Sequence, residues 1–430
     1  MAAGENVPHV QAKFFTRQDQ FSVPDAPYSV PTSVGVGELN SLINSVLEAD
    51  GKTEKTQFDF LINGEFLRVP LHEYVSSKEI STETVVEIEY VSRQTAPEPE
   101  DSLLHDDWVS CVQASGDYIL SGSYDNTVRI WNSEGDILTT IPAHIAPVKC
   151  CAWIKQDDED PVNQFVTGSH DNSLYMWEWN QQKNAVNCVH ACRGHAASVD
   201  CVAVDSTKTR VCSGSWDKML KVWSAVPAEA GQDEDLGEKP TKRKKTDEHK
   251  APSRVPIVTL SGHNEGVSSV VWLTDKEIMT ASWDHTLRIW DIEQAKMTQT
   301  LNGSKVFLDI SHSPLTNMVI AASADRHIRL YDPRSTDGAV VKSTYTSHLA
   351  WVSSVAWSPV NQYQFISGAY DCVLKLWDTR SPNAPLYDMS GHEDKILAVD
   401  WTMPQRMLTG AADNHLKIFK CSEGDIYTKR

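Results

Sequence analysis

SGSWDKMLKVW (213–223) and TASWDHTLRIW (280–290) carry the same message: small residues, an aspartate, and an aromatic six positions after it. The pair recurs at Asp125/Trp131, Asp171/Trp177, Asp217/Trp223, Asp284/Trp290, Asp325/Tyr331, Asp371/Trp377 and Asp413/Phe419. The aspartates are 46, 46, 67, 41, 46 and 42 residues apart, the length of a four-stranded propeller blade repeated seven times. The small residues let one strand end and turn, the aspartate sits in the turn, and the alternation after it (Val128, Ile130; Leu287, Ile289) is the next strand.

These units resemble the WD-repeat family, in which a His, a Ser or Thr, the turn Asp and a Trp form one buried hydrogen-bonded chain per blade. Blades 2, 3, 4 and 6 carry complete sets: His144, Thr167, Asp171, Trp177; His195, Ser213, Asp217, Trp223; His263, Thr280, Asp284, Trp290; and His348, Ser367, Asp371, Trp377. The set of blade 1 is His105, Ser121, Asp125 and Trp131. Blade 7 keeps His392, Thr409 and Asp413 but ends on Phe419, which has no indole donor. Blade 5 departs furthest, with Asn302-Gly303 in place of the histidine, Ala321 for the hydroxyl and Tyr331 for the Trp. A His, an Asp and a Ser together also suit a hydrolase, but a constellation repeated round a ring reads as mutually satisfied scaffolding. There is no GxxxxGK[ST] loop, no GxGxxG after a strand and no nucleophile elbow, so the chain reads as a non-enzyme without a cofactor.

At 430 residues and 40% apolar content, a large core is available, and seven blades use about 320 residues of it. No run of about 18 apolar residues and no secretory leader is present, which predicts a soluble intracellular protein without a membrane partner. The nine cysteines fall mostly inside predicted strands without a CxxC pair; Cys188, Cys192, His190 and His195 come nearest to a metal cluster, and no metal site is expected within the chain. A net charge of -19 argues against a generic clamp on nucleic acid and for protein partners, with direct RNA contact left open.

The first 95 residues follow another rhythm. HVQAKFF (9–15) and FSVPDAPYSVP (21–31) read as strands, and Leu39, Leu42, Ile43, Val46 and Leu47 mark a helix from Val36 to Leu47. FDFLINGEFLRV (58–69) reads as two strands about an Asn-Gly turn and VVEIEYV (85–91) as a last strand, the order of a small α+β ubiquitin-like roll. The expected division is a ubiquitin-like domain at 1–95, a linker at 96–102 in the Pro- and acid-rich TAPEPED, and an all-β seven-bladed propeller at 103–421 with a disordered insertion at 225–256.

That combination resembles two ribosome-biogenesis families, the Notchless family and the WD-repeat family that joins Pescadillo and Block-of-proliferation. QAKFFTR, FDFLINGEFLR, LHEY, VEIEY and DDWVS, together with seven blades, place the chain with the second. The resemblance implies a non-catalytic scaffold of large (60S) subunit biogenesis and rRNA maturation, on pre-60S particles in the nucleus, nucleolus and nucleoplasm. It further implies that Glu83 completes a magnesium site on the AAA ATPase midasin, which then releases the complex from the particle; one exposed carboxylate replacing a water suits magnesium. Lys242, Arg243, Lys244 and Lys245, exposed in the insertion, read as a nuclear-import cluster. WDTR, from Trp377 to Arg380, supports an alternative as substrate receptor of a cullin-4 ubiquitin ligase. Tyr124, His170, Trp216, Trp283, Arg326 and Tyr370, beside the turn aspartates, are placed near a propeller face, either for partner contact or to fill gaps between blades.

Overall fold

The computed structural model describes residues 8–51, 55–78, 84–93, 95–156, 161–226, 251–335 and 341–421. Two compact units separate after Ala96, the second running from Pro97 to Cys421.

In the first unit β1 (His9–Phe15), β2 (Pro27–Pro31), β3 (Phe58–Ile62), β4 (Glu65–Phe66) and β5 (Val86–Ser92) form one sheet in the order β2-β1-β5-β3-β4. β1 and β5 run parallel and the other pairs antiparallel. α1 (Val36–Ala49) buries Leu39, Ile43 and Leu47 against Val10, Phe14, Phe58, Phe60 and Tyr90, the apolar face its spacing predicts. Asn40 and Asn44 lock α1 to the incoming chain: the Asn40 amide bonds the N–H and C=O of Phe58 at 2.6 and 2.8 Å, and Asn44 does the same for Thr56 at 3.1 and 2.8 Å. Asn63 and Gly64, with φ of 52° and 80°, make the tight turn between β3 and β4. The second strand is shorter than its alternation suggests, because Pro24 and the Asp19–Phe21 turn interrupt it. The LHEY segment opens a helix, α2 (Leu71–Ser77), started by Pro70 and anchored by buried Leu71, Tyr74 and Val75.

The second unit is a ring of seven sheets. Within blades 1 to 6 strands a to d follow in chain order, and the a strands of all seven blades line a central channel. The small residues before each aspartate have a second cause besides the turn. A Cβ on Gly122 would lie 2.7 Å from Val148 of the next blade, and one on Gly214 would lie 2.5 Å from Val267, so glycine permits neighbouring blades to close up.

Two boundaries differ from expectation. Residues 98–104, placed mostly in a linker, form a strand (Glu98–Leu104) that pairs antiparallel with His415–Lys420 as strand d of blade 7, from Glu98↔Lys420 to Leu104↔His415. Only Leu103 is buried in it, so its edge-strand side chains show no apolar pattern, and the other residues are held by the backbone ladder with two side-chain links, Glu100 to Arg406 at 2.8 Å and Ser102 to His415 at 2.9 Å. The insertion expected at 225–256 is also shorter: Ala225 is buried, and Ser253–Arg254 adds a fifth, parallel strand to blade 2 beside Ala191 and Cys192. The intervening 227–250 lies outside the described residues.

Candidate functional site

Four blades hold the complete polar chain. In blade 4 His263 Nδ1 lies 2.9 Å from Asp284 Oδ2, its Nε2 is 2.7 Å from Thr280 Oγ1, and Trp290 Nε1 donates to the same hydroxyl at 2.8 Å. His144, His195 and His348 repeat this with Asp171, Asp217 and Asp371 at 2.9, 2.8 and 2.9 Å. Their hydroxyl partners Thr167, Ser213 and Ser367 each accept an indole N–H, from Trp177, Trp223 and Trp377. Burial alone would raise the Asp284 carboxyl, yet bonds from Thr286, the Asn264 amide and His263 outweigh it and hold it at about 2. Burial pushes His263 down, so the imidazole stays neutral with both nitrogens engaged. Such a group has no lone pair or proton to offer a substrate.

The three remaining blades depart from this pattern, each in its own way. In blade 1 His105 keeps Ser121 at 2.8 Å, but its Nδ1 is 3.9 Å from Asp125, beyond hydrogen-bond reach, and Arg129 lies 3.6 Å from that carboxylate. In blade 7 His392 binds Asp413 and Thr409 at 2.8 and 2.7 Å, and Phe419 fills the indole position without a donor. In blade 5 Arg329 replaces the missing histidine, its guanidinium gripping Asp325 at 3.2 and 2.5 Å, while the Ser304 hydroxyl adds a third bond at 3.2 Å. Asp325 is held at about 2, burial again being overridden, here by Arg329.

What the ring exposes is an aromatic rim. In every blade the residue before the turn aspartate donates its amide to the carbonyl of the residue preceding strand a: Tyr124 to Trp108, His170 to Pro147, Trp216 to Ser198, Trp283 to Gly266, Ala324 to Val306, Tyr370 to Trp351 and Ala412 to Lys395. Five of the first members of these pairs, Tyr124, His170, Trp216, Trp283 and Tyr370, line the channel, a cavity of about 1000 Å³. Trp216 and Trp283 meet across blades 3 and 4 with ring centroids 5.3 Å apart, Trp108 packs on Tyr124 at 5.4 Å, and Trp351 stacks on Tyr370 at 5.9 Å. Lys395 lies 4.3 Å over Trp108 and 5.5 Å from the Tyr370 ring, and Lys149 lies 5.6 Å over Tyr124. Trp216 therefore does both things open to it: it packs over Gly266 between blades and leaves 40% of its surface exposed. Of the six residues singled out from the sequence, five share this rim position or its neighbourhood; Arg326 instead follows its aspartate, at φ 70°. Trp108, Trp351 and Lys395 were missed, although their common place directly before strand a marks them.

Glu83 and the Lys242 to Lys245 cluster lie outside the described residues. Cys192 is fully buried in the core between blades 2 and 3 and His195 is bound within its own blade; no metal-holding group of three or more His, Cys, Asp or Glu occurs among the described residues. Arg380 of WDTR turns its guanidinium onto Asp378 at 2.9 and 2.8 Å and stacks 4.4 Å over Tyr363, so its charge is engaged inside blade 6. Among the described residues no helix is long and apolar enough to cross a membrane.

Residues 10–75 match the NLE (NUC135) domain, and seven stretches, 98–132, 135–178, 186–224, 254–291, 295–332, 339–378 and 383–420, match the WD domain, G-beta repeat. The first of those stretches begins on the closing strand, in agreement with its place in the ring. The Ribosome biogenesis protein WDR12 homolog of Ixodes scapularis is 51% identical over 96% of this chain and 98% of its own length. The homologs of the same name from Aedes aegypti and Nematostella vectensis are 48% and 44% identical, over 97% and 96% of this chain and 96% and 100% of their own. With identity of this order along both units, the chain belongs to the WDR12 family of ribosome biogenesis proteins.

Proposed function

We propose that the chain is a non-catalytic scaffold of the large (60S) subunit precursor, joining Pescadillo and Block-of-proliferation through its propeller and offering its ubiquitin-like unit to midasin. The observation that carries this reading is the division of labour in the ring. In blades 2, 3, 4, 6 and 7 the His, Asp and hydroxyl groups with catalytic chemistry are mutually bonded and turned inward, while Trp216, Trp351 and Tyr370 remain accessible at one mouth. Large rigid aromatics in an exposed, pre-organised arrangement are the residue types that dominate protein interfaces. In this reading Glu83 supplies the carboxylate that completes midasin's magnesium site, and Lys242, Arg243, Lys244 and Lys245 direct nuclear import to the nucleolus and nucleoplasm. Arg380, held by Asp378, leaves the ligase-receptor alternative without the exposed cation it rests on.

The test is native affinity purification of the tagged wild type, Glu83→Ala and a deletion of 239–250, reading proteins and rRNA precursors together. Wild type should bring Pescadillo, Block-of-proliferation and large-subunit precursors; Glu83→Ala should retain these and lose midasin; the deletion should shift the protein out of the nucleus. Absence of large-subunit precursors from the wild-type sample would refute the scaffold reading, and midasin retained by Glu83→Ala would remove that residue's role.

A further inference from the structure

The rim is not continuous. Blades 1, 2, 3, 4 and 6 place Tyr124, His170, Trp216, Trp283 and Tyr370 before their turn aspartates, but blades 5 and 7 place Ala324 and Ala412 there, and in blade 7 Lys395 lies over the neighbouring Trp108 and Tyr370 rings. The missing ring leaves a recess of about 480 Å³ between blades 5 and 6, lined by Ala324, Arg326, Leu349, Ala350, Trp351 and Tyr370. Its walls are fixed: the Leu349 amide donates to Asp371 at 2.9 Å, and Trp351 is stacked on Tyr370 with an interplanar angle of 26°. Yet Leu349 is 80% exposed, a large apolar side chain held in water by a well-bonded loop.

The charge beside the recess is as specific. Blade 5 has two arginines at its turn; Arg329 is consumed by Asp325, whereas Arg326 forms no ion pair among the described residues. On the far side Lys395 sits over Tyr370 and Trp108, and Asp394 takes its backbone N–H at 2.7 Å, not its ammonium. In a chain of net charge -19, two cations without carboxylate partners flank one apolar hollow. A nucleic acid would need a run of phosphate contacts that this pair does not supply.

We propose that the recess docks an extended segment of a partner protein that presents a bulky apolar side chain beside a carboxylate, the apolar group between Leu349 and Trp351 and the carboxylate on Arg326. The inference deepens the scaffold reading by naming the chemistry of one partner segment. A failed recess test with large-subunit precursors still co-purifying removes only the recess.

The experiment pans random seven-residue peptides displayed on phage against the immobilised full chain, then measures the enriched peptides by fluorescence anisotropy. Enrichment of aromatic or aliphatic residues adjacent to Asp or Glu is expected. Affinity should drop ten-fold or more in Arg326→Glu, the loss of a charge-assisted bond replaced by repulsion. Ala324→Trp, which restores the ring that blades 3 and 4 carry at this position, should abolish binding without touching the charge. Ile145→Ser, on blade 2 of the same face and 92% exposed, should bind as wild type. No enrichment, enriched peptides without an acid, indifference to Arg326→Glu or Ala324→Trp, or displacement of the peptides by 20-nucleotide oligouridylate or by a second copy of the chain would overturn the proposal.

Discussion

Replacing one hydroxyl in the ring by a methyl separates two levels of the polar chain. Thr280→Val preserves shape and removes the atom that bridges His263 Nε2 at 2.7 Å and Trp290 Nε1 at 2.8 Å. It leaves a buried acceptor and a buried donor, each an orphan costing about 1–3 kcal/mol, so the blade should lose about 3 kcal/mol. Thr409→Val is an internal control, because Phe419 has no N–H: His392 Nε2, at 2.7 Å, loses its partner but no indole does, the long 3.4 Å contacts of the two hydroxyls to the Lys417 and Arg288 carbonyls cancel in the comparison, and the cost should be about half. Unfolding entropy of about 2.1 cal/mol/K per residue over a unit of about 300 residues makes 1 kcal/mol worth roughly 1.6 °C. Differential scanning fluorimetry should therefore show falls of about 5 °C and about 2.5 °C. Equal falls, or a larger one at Thr409, would show that the indole bond contributes nothing and that the chain of four is not the unit of stability.

Two further outcomes are expected. Leu103→Ala should cost about 2–4 kcal/mol in urea unfolding, since Leu103 packs on Leu416 and Ile418 in the closing strand; a neutral result would make 98–104 a tether after all. Asp400 lies buried in the channel wall, bonded to the Ala114 amide at 3.0 Å and Thr402 at 2.6 Å, and burial pushes its carboxyl up to about 6. Because the unfolded chain ionises there near 3.8, the folded state loses stability as pH rises between those values; Asp400→Asn should raise the melting midpoint at pH 7.5 and lose that advantage by pH 4, and a pH-independent effect would sink the assignment.

The ring was legible because each aspartate must occupy a turn that only a few residue types tolerate, and each indole must reach a hydroxyl ten residues back. Elements that face solvent left no such trace. The strand Glu98–Leu104 buries one side chain and reads as a linker by composition, although a seventh blade short of its fourth strand required something to close it. α2, at seven residues, is too short for its buried positions Leu71, Tyr74 and Val75 to establish a period. In blade 5 the substitution of Arg329 for a histidine four positions beyond Asp325 hides because Arg129 and Arg288 occupy the same offset in blades that keep their histidines. The rim was half visible: residues before the aspartates stood out by repeat position, whereas their partners before strand a emerge only once the backbone bond joining them is seen.

The closing strand also sets an order of events during synthesis. Residues 98–104 leave the ribosome before any blade, yet their pairing partners are 415–420, more than 300 residues later in the chain. At about 5–20 residues per second, the strand waits roughly 15–60 s with its backbone unpaired. During that interval the small N-terminal unit has all of its described strands and can fold, while the ring can stack blades but not shut. Closure is therefore a late step that requires synthesis through Lys420, and a nascent product truncated before that residue would display an open edge for chaperones to recognise.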